Sequence, residues 1–175
     1  MEFRKTIRVS AEDYYSFNKY HLRAKVFLNP ILFLILIPLA CYLFFDLPKG
    51  GFPNVALTIA LPAAVVLCSL LAFLSLRSLK RAAAKRYNEN EMLQAEVVLW
   101  AGETGIGEQS AFADSHTPWP DVARAGETKN GIYLYISGKK AFIIPKRLLT
   151  AAEDEALRAL VKKHLHKKRN QLRRK

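Results

Sequence analysis

Two stretches of the chain, 26–45 and 55–76, are 20 and 22 residues long and contain no ionisable acid or base. At 1.5 Å of rise per residue a helix of that length crosses roughly 30 Å of hydrocarbon, whereas a buried core helix needs only about half as many apolar positions. The pattern predicts two transmembrane helices joined by the short Pro/Gly connection 46–54. A polar 25-residue segment precedes the first run, which is also longer than a signal-peptide core, so both runs are expected to remain in the mature protein. Pro38 and Pro62 lie inside the runs, where membrane helices tolerate a kink.

On either side of the apolar runs the pattern changes. Phe3, Ile7 and Val9 share one side of a period-two segment interrupted by Lys5, which predicts a strand over 3–9. Ser10 and Asp13 then open a helix in a capping-box arrangement. Tyr14, Phe17 and His21 share one face of it; this predicts a headgroup-level aromatic patch, with His21 packed there rather than acting as a ligand. After the second run, 77–91 continues as helix. From Met92 onward, short β-type runs (96–100, 106–112, 119–128, 132–136 and 140–144) alternate with turn signals at 102–105, 113–118, Asn130-Gly131 and Ser137-Gly138. Ile132 and Leu134 alternate with Tyr133 and Tyr135, so both faces of that strand should be covered. Thr150 and Glu153 form a second capping box, and Leu157, Leu160, Val161 and Leu165 give the closing helix its apolar stripe.

The resulting expectation is an α+β membrane protein: a two-helix transmembrane hairpin with a five-stranded antiparallel meander closed by a final helix. Its parts are an N-terminal strand and helix (1–25), the first span (26–45), an external loop (46–54), the second span (55–76), a helical extension (77–91), a β domain with its closing helix (92–166) and a basic tail (167–175).

Charge adds an orientation. Lys and Arg total 27 against 15 Asp and Glu, a formal net charge of +12. Arg8, Lys19, Arg23 and Lys25 precede the first run and Arg77, Lys80, Arg81, Lys85 and Arg86 follow the second, while the connection holds only Lys49. Basic flanks stay on the cytoplasmic side, which places both termini in the cytoplasm. Eight of the basic residues fall within 162–175, a segment without acids. Lys167, Lys168, Arg169, Arg173, Arg174 and Lys175 are therefore candidate contacts for anionic lipid, the alternative being a solvated end. No aromatic is interleaved there to stack a base, so no specific nucleic-acid binding is expected.

Candidate chemistry is sparse. The spans lack the ionisable groups of carriers and proton relays. Cys41 and Cys68 would differ in depth by roughly 13 Å in an antiparallel hairpin, beyond disulfide reach, and neither has the spacing of a metal site. Asp114, Ser115 and His116 are adjacent in sequence, unlike a nucleophile–base–orienter set, so no catalytic residue, metal or cofactor is expected. Ala56, Ala60, Ala64, Cys68 and Ala72 form a small-residue stripe that either packs on the first span or serves self-association. Lys146 and Arg147, following Pro145, either end a strand or meet a headgroup or an acidic partner.

The stretch PWPDVARAGETKNGIYLYISGKKAFIIPKRLL, with Trp119, Asp121, Glu127, Tyr133, Tyr135 and Ile144-Pro145-Lys146 as its most distinctive points, resembles the C-terminal region of the YcxB-like family of bacterial membrane proteins. So does SAEDYYSFNKYH followed by two spans. The resemblance implies a bacterial cytoplasmic-membrane protein with a pleckstrin-homology-like β domain and no known catalytic residue. The expected function is a membrane-anchored, non-catalytic binding or scaffolding protein with an unidentified protein partner. Its rival is an accessory subunit of a transporter or envelope complex acting through the spans; an enzyme is the remaining alternative.

Overall fold

The computed structural model describes residues 3–50, 54–138 and 140–172. The chain divides into two compact units, one made of Met1–Tyr20 with Ala82–Lys175, the other of His21–Arg81.

The first unit is built on two four-stranded sheets. Strands β1 (Phe3–Arg8), β2 (Glu96–Ala101), β3 (Gly105–Gln109) and β4 (Asp114–Pro118) lie in that order, all antiparallel. The second sheet has the order β7-β6-β5-β8, from β5 (Arg124–Glu127), β6 (Gly131–Tyr135), β7 (Ala141–Pro145) and β8 (Asn170–Gln171). Only the β5–β8 pair is parallel. Helix α4 (Ala151–His164) starts at the Thr150–Glu153 capping box and contributes Leu157, Leu160 and Val161 to a core that also holds Ile7, Leu99, Ile106, Ile132, Leu134 and Ile144. The chain is thus α+β, with two apolar helices, one antiparallel sheet and a second that is antiparallel but for its β8 edge.

Three expectations change. Asp114–Pro118 is a strand where turn residues suggested a connection, because the reversal comes earlier. The Ser110 hydroxyl accepts from the amides of Phe112 and Ala113 and closes the turn, after which Thr117 alone buries its side chain. The run 119–128 opens in a 3₁₀ turn, Trp119–Asp121, and only Arg124–Glu127 is strand. The expected single meander is therefore six strands divided between two sheets, each sheet completed from elsewhere: β1 from before the apolar helices, β8 from the basic tail.

The early aromatic residues also take another place. Phe17 is buried against Tyr133 and Tyr135, with centroids 5.4 and 5.9 Å away, and Tyr20 lies over Tyr133 at 5.5 Å. A Cβ on Gly126 would come within 2.7 Å of the Tyr20 ring, so glycine lets this helix seat directly on β5. The rings thus cover the second sheet instead of forming a headgroup patch.

The second unit carries most of α1 (Ala11–Cys41) and of α2 (Leu61–Asn88); a one-turn helix, α3 (Glu91–Gln94), follows α2 in the first unit. A π turn over Tyr42–Asp46 and a 3₁₀ turn over Leu47–Lys49 end α1, and Gly50 takes φ +108°, open to glycine without strain. Asp46 accepts from the Val55 amide at 3.0 Å, and a second π turn, Ala56–Ala60, leads into α2. The apolar stretches Pro30–Lys49 and Leu57–Asn88 are long and apolar enough to cross a membrane, and most of their large side chains face outward.

Candidate functional site

Pro145 ends β7, and Lys146 and Arg147 occupy the 3₁₀ turn behind it, Lys146–Leu148. Neither is a free cation. The Lys146 ammonium donates to Glu127, whose side chain is only 3% exposed. Arg158 completes a fork on the same carboxylate, Nη2 to Oε1 at 2.7 Å and Nη1 to Oε2 at 3.1 Å. Its Nε meets both oxygens of Asp154 at 3.0 Å. Two acids and two bases from β5, the β7 end and α4 thus close on one another. The bonds from Glu127, with those from Asp154, hold the Arg158 guanidinium charged well beyond its ordinary range.

Arg147 belongs to a second node. It donates to Asp13 Oδ2 at 2.8 Å and to the Arg8 carbonyl at 3.1 Å, while Asp13 also accepts from the Ser10 amide and hydroxyl. Burial pushes the Asp13 carboxyl up, but Arg147 and Ser10 outweigh it and the net displacement is downward. Lys5 adds a third tie, to Glu153 at 2.8 Å; that bond, with the Thr150 amide, draws the Glu153 carboxyl down to about 2. Lys146 and Arg147 therefore act as strand-end anchors: Lys146 is largely covered, while Arg147, held by Asp13, keeps about half of its side chain exposed.

Trp119 is buried, donates Nε1–H to the Gly102 carbonyl at 2.8 Å and stacks on His164 at 5.2 Å. Burial, only partly offset by the Arg124 guanidinium 4.1 Å above the ring, pushes the Tyr135 hydroxyl up to about 12. Tyr133 shares a hydroxyl hydrogen bond with Thr128 at 3.1 Å. Asp114, Ser115 and His116 occupy successive positions of β4, so Ser115 faces away from both neighbours and the three cannot converge.

What remains open is the outer face of the first sheet. Alternation places Arg4, Thr6 and Arg8 beside Trp100, Val98 and Glu96, with Gln109 and His116 across β3 and β4. Trp100 lies flat over Gly107, where a Cβ would meet the indole at 2.4 Å, and stacks with His116 at 5.1 Å. A cleft of about 470 Å³ borders this face, lined by Thr6, Arg8, Ser10, Tyr87, Glu96 and Arg147 among others.

The remaining sequence candidates divide. Ala60, Ala64 and Cys68 are buried and Ala72 partly so, and the Cys68 thiol donates to the Pro30 carbonyl at 2.9 Å, so at that position the stripe meets the chain's own first helix. The Ala56 side chain lies outside the described residues, as do Arg173, Arg174 and Lys175. Lys167 and Lys168 are exposed. Arg169 is not a solvated cation: its guanidinium donates to the carbonyls of Pro120 (2.7 Å), Ala123 (3.2 Å) and Val122. From Arg169 to Leu172 the tail thus runs along the second sheet, while Lys167 and Lys168 stay exposed.

Residues 101–161 match the family model described as YcxB-like protein. The match bears out the C-terminal part of the resemblance read from the sequence; SAEDYYSFNKYH and the two apolar runs lie outside it. No curated protein and no solved structure matches the chain. Set on the fold, the YcxB-like segment runs from the last residue of β2 into α4. Its distinctive residues mostly bear the fold: Glu127 and Lys146 in the ion-pair frame, Tyr133 and Tyr135 under α1, and Trp119 at the corner between the sheets. Sequence reading missed Arg158, Asp154 and Asp13 as partners in this frame. Asp154 and Arg158 sit four apart on one helix face, a spacing that could have revealed half of it.

Proposed function

We propose that this chain is a membrane-anchored, non-catalytic binding module of the bacterial cytoplasmic membrane, whose pleckstrin-homology-like β unit offers the outer face of its first sheet to a partner. One observation carries the reading. Strand β1 precedes the first apolar helix and β2 follows the second, yet the two pair through six residues each. A chain that crosses a bilayer once and returns can do this only if both flanks emerge on one side, and the basic flanks select the cytoplasm. The Tyr87 hydroxyl, donating to the Val9 carbonyl at 2.9 Å, supports the same closure. Lys167 and Lys168, exposed ahead of β8 on the second sheet, add a separate basic point toward anionic lipid. Two sheets closed by a C-terminal helix support the domain type, and function rests on the site, not on that likeness.

Orientation is checked with single cysteines in a chain carrying Cys41→Ser and Cys68→Ser. Lys49→Cys is preferable to a change at Gly50, whose φ penalises any side chain; Gly138→Cys points into open space. An impermeant thiol reagent on intact cells should label position 49 and leave 138 unlabelled until permeabilisation. Labelling at 138 first would overturn the topology.

The Cys68 contact with Pro30 occupies part of the stripe within the hairpin, which favours the β unit over the spans as the specific surface. Exchanging 26–45 and 55–76 for unrelated apolar helices should leave cross-linked partners from a photoreactive residue at His116 unchanged. Adding Lys167→Gln and Lys168→Gln should reduce co-purifying anionic lipid. Loss of the partners on span exchange would transfer the specificity to the spans, and unchanged lipid would remove the lysines from the mechanism.

A further inference from the structure

Strand β5 has β6 on one side; its other side, with the chain leading into it from Pro120, is an edge met only by the tail among the described residues. There the Pro120, Val122 and Ala123 carbonyls all accept from the single Arg169 guanidinium. The Ala125 amide donates to the Arg169 carbonyl at 2.8 Å, and Asn170 and Gln171 continue the edge opposite Ala125 and Gly126. Tyr20 donates to Gln171 at 3.3 Å, and Leu172 packs on the core. A tight turn delivers the segment, with the amides of Arg169 and Asn170 both donating to the His166 carbonyl.

Two features set this apart from ordinary sheet pairing. The parallel ladder is two residues long, and such pairing is the weaker kind per residue. Of the side chains of the three consecutive basic residues Lys167, Lys168 and Arg169, only the last is engaged among the described residues. A planar fork of five donors can serve three carbonyls in fixed positions, which a compact ammonium cannot match. The contact therefore selects shape as well as charge.

We infer that the β5 edge from Pro120 to Gly126 is a recognition site for an extended peptide carrying an arginine followed three residues later by an aliphatic side chain. The chain's own Arg169–Leu172 fills it in cis. A tethered occupant acts at an effective concentration on the order of millimolar, so a ligand in trans gains entry only when the tail is withdrawn. The site stands on these contacts alone and does not depend on the function proposed above.

The test uses the full chain in detergent and a fluorescent peptide of sequence HKKRNQL, that of 166–172. Arg169→Ala should vacate the edge and bind this peptide at least about tenfold more tightly than the wild type; peptides with Ala or Lys for Arg should lose about as much. Hydrogen exchange at the Ala125 amide should quicken in Arg169→Ala and slow again with peptide, while the Leu134 amide stays protected. Equal binding of the Arg, Lys and Ala peptides would reduce the effect to plain charge attraction and overturn the site. So would equal binding to wild type, or Ala125 exchange indifferent to Arg169. Should Arg169→Ala expose Leu134, the chain ending at Lys168 repeats the measurement. Exposure of Leu134 there too would make the tail an ordinary core strand and overturn the site.

Discussion

Glu127→Ala is expected to destabilise the β unit by about 3–5 kcal/mol, because it leaves two cations, Lys146 and Arg158, facing a desolvated space with one of their acids removed. The cost arises from the uncompensated charge more than from the lost bonds. A variant that removes the charges together, Glu127→Leu with Arg158→Leu and Lys146→Met, should recover much of the loss, since well-packed apolar groups often replace a buried ionic set at little cost. Chemical denaturation of the full chain in a non-denaturing detergent, followed by tryptophan fluorescence, measures both. Trp119 sits at the corner of the sheets and reports their separation. A loss below about 1 kcal/mol for Glu127→Ala would mean that water reaches the carboxylate and that the frame is an ordinary surface salt-bridge set.

The same frame shows what the sequence makes legible. Apolar runs of 20 and 22 residues announce the long helices, and the capping boxes at Ser10 and Thr150 stand where their spacing puts them. Asn130-Gly131 closes the β5–β6 hairpin, with the Thr128 amide donating to the Gly131 carbonyl. These signals are local: each is complete within a few residues, and periodicity tells which face of an element is buried. Periodicity does not name what covers it. Tyr133 and Tyr135 announce a covered face, but nothing near them indicates Phe17 and Tyr20, more than a hundred residues earlier. Glu127 lies 19 residues from Lys146 and 31 from Arg158, beyond any local pattern, and a charge in sequence looks the same whether paired or solvated. Arg169 sits in a run of basic residues whose composition suggests a disordered end, and only the three carbonyls ahead of β5 give it another role. Strand β4 was hidden for a different reason: its polar residues have low strand propensity, and pairing with β3 overrides it.

The dependence of the β unit on remote segments leads to the second large effect. A fragment of residues 82–175 contains the whole YcxB-like segment, yet it lacks β1 and the start of α1. Without them the edge of β2 loses its partner, and the sites of Phe3, Ile7 and Phe17, each under 10% exposed, open to water. At about 1.5–3 kcal/mol for each large side chain, those three account for about 5–9 kcal/mol, comparable to the entire stability of a small domain. Arg147 and Glu153 lose Asp13 and Lys5 at the same time. The fragment is therefore expected to be unfolded or aggregated. Residues 1–20 joined to 82–175 through a flexible Gly/Ser linker in place of the apolar hairpin should instead give a soluble chain with a cooperative thermal transition and a near-UV dichroism signal from its packed tryptophans. Adding Ile7→Asp to that joined chain should abolish the transition, since it places an unpaired carboxylate in the core. A fragment of 82–175 that melts cooperatively at the temperature of the joined chain would show that β1 is an accessory. The pairing of β1 with β2 would then lose its force as the reason both flanks of the apolar hairpin must emerge on one side.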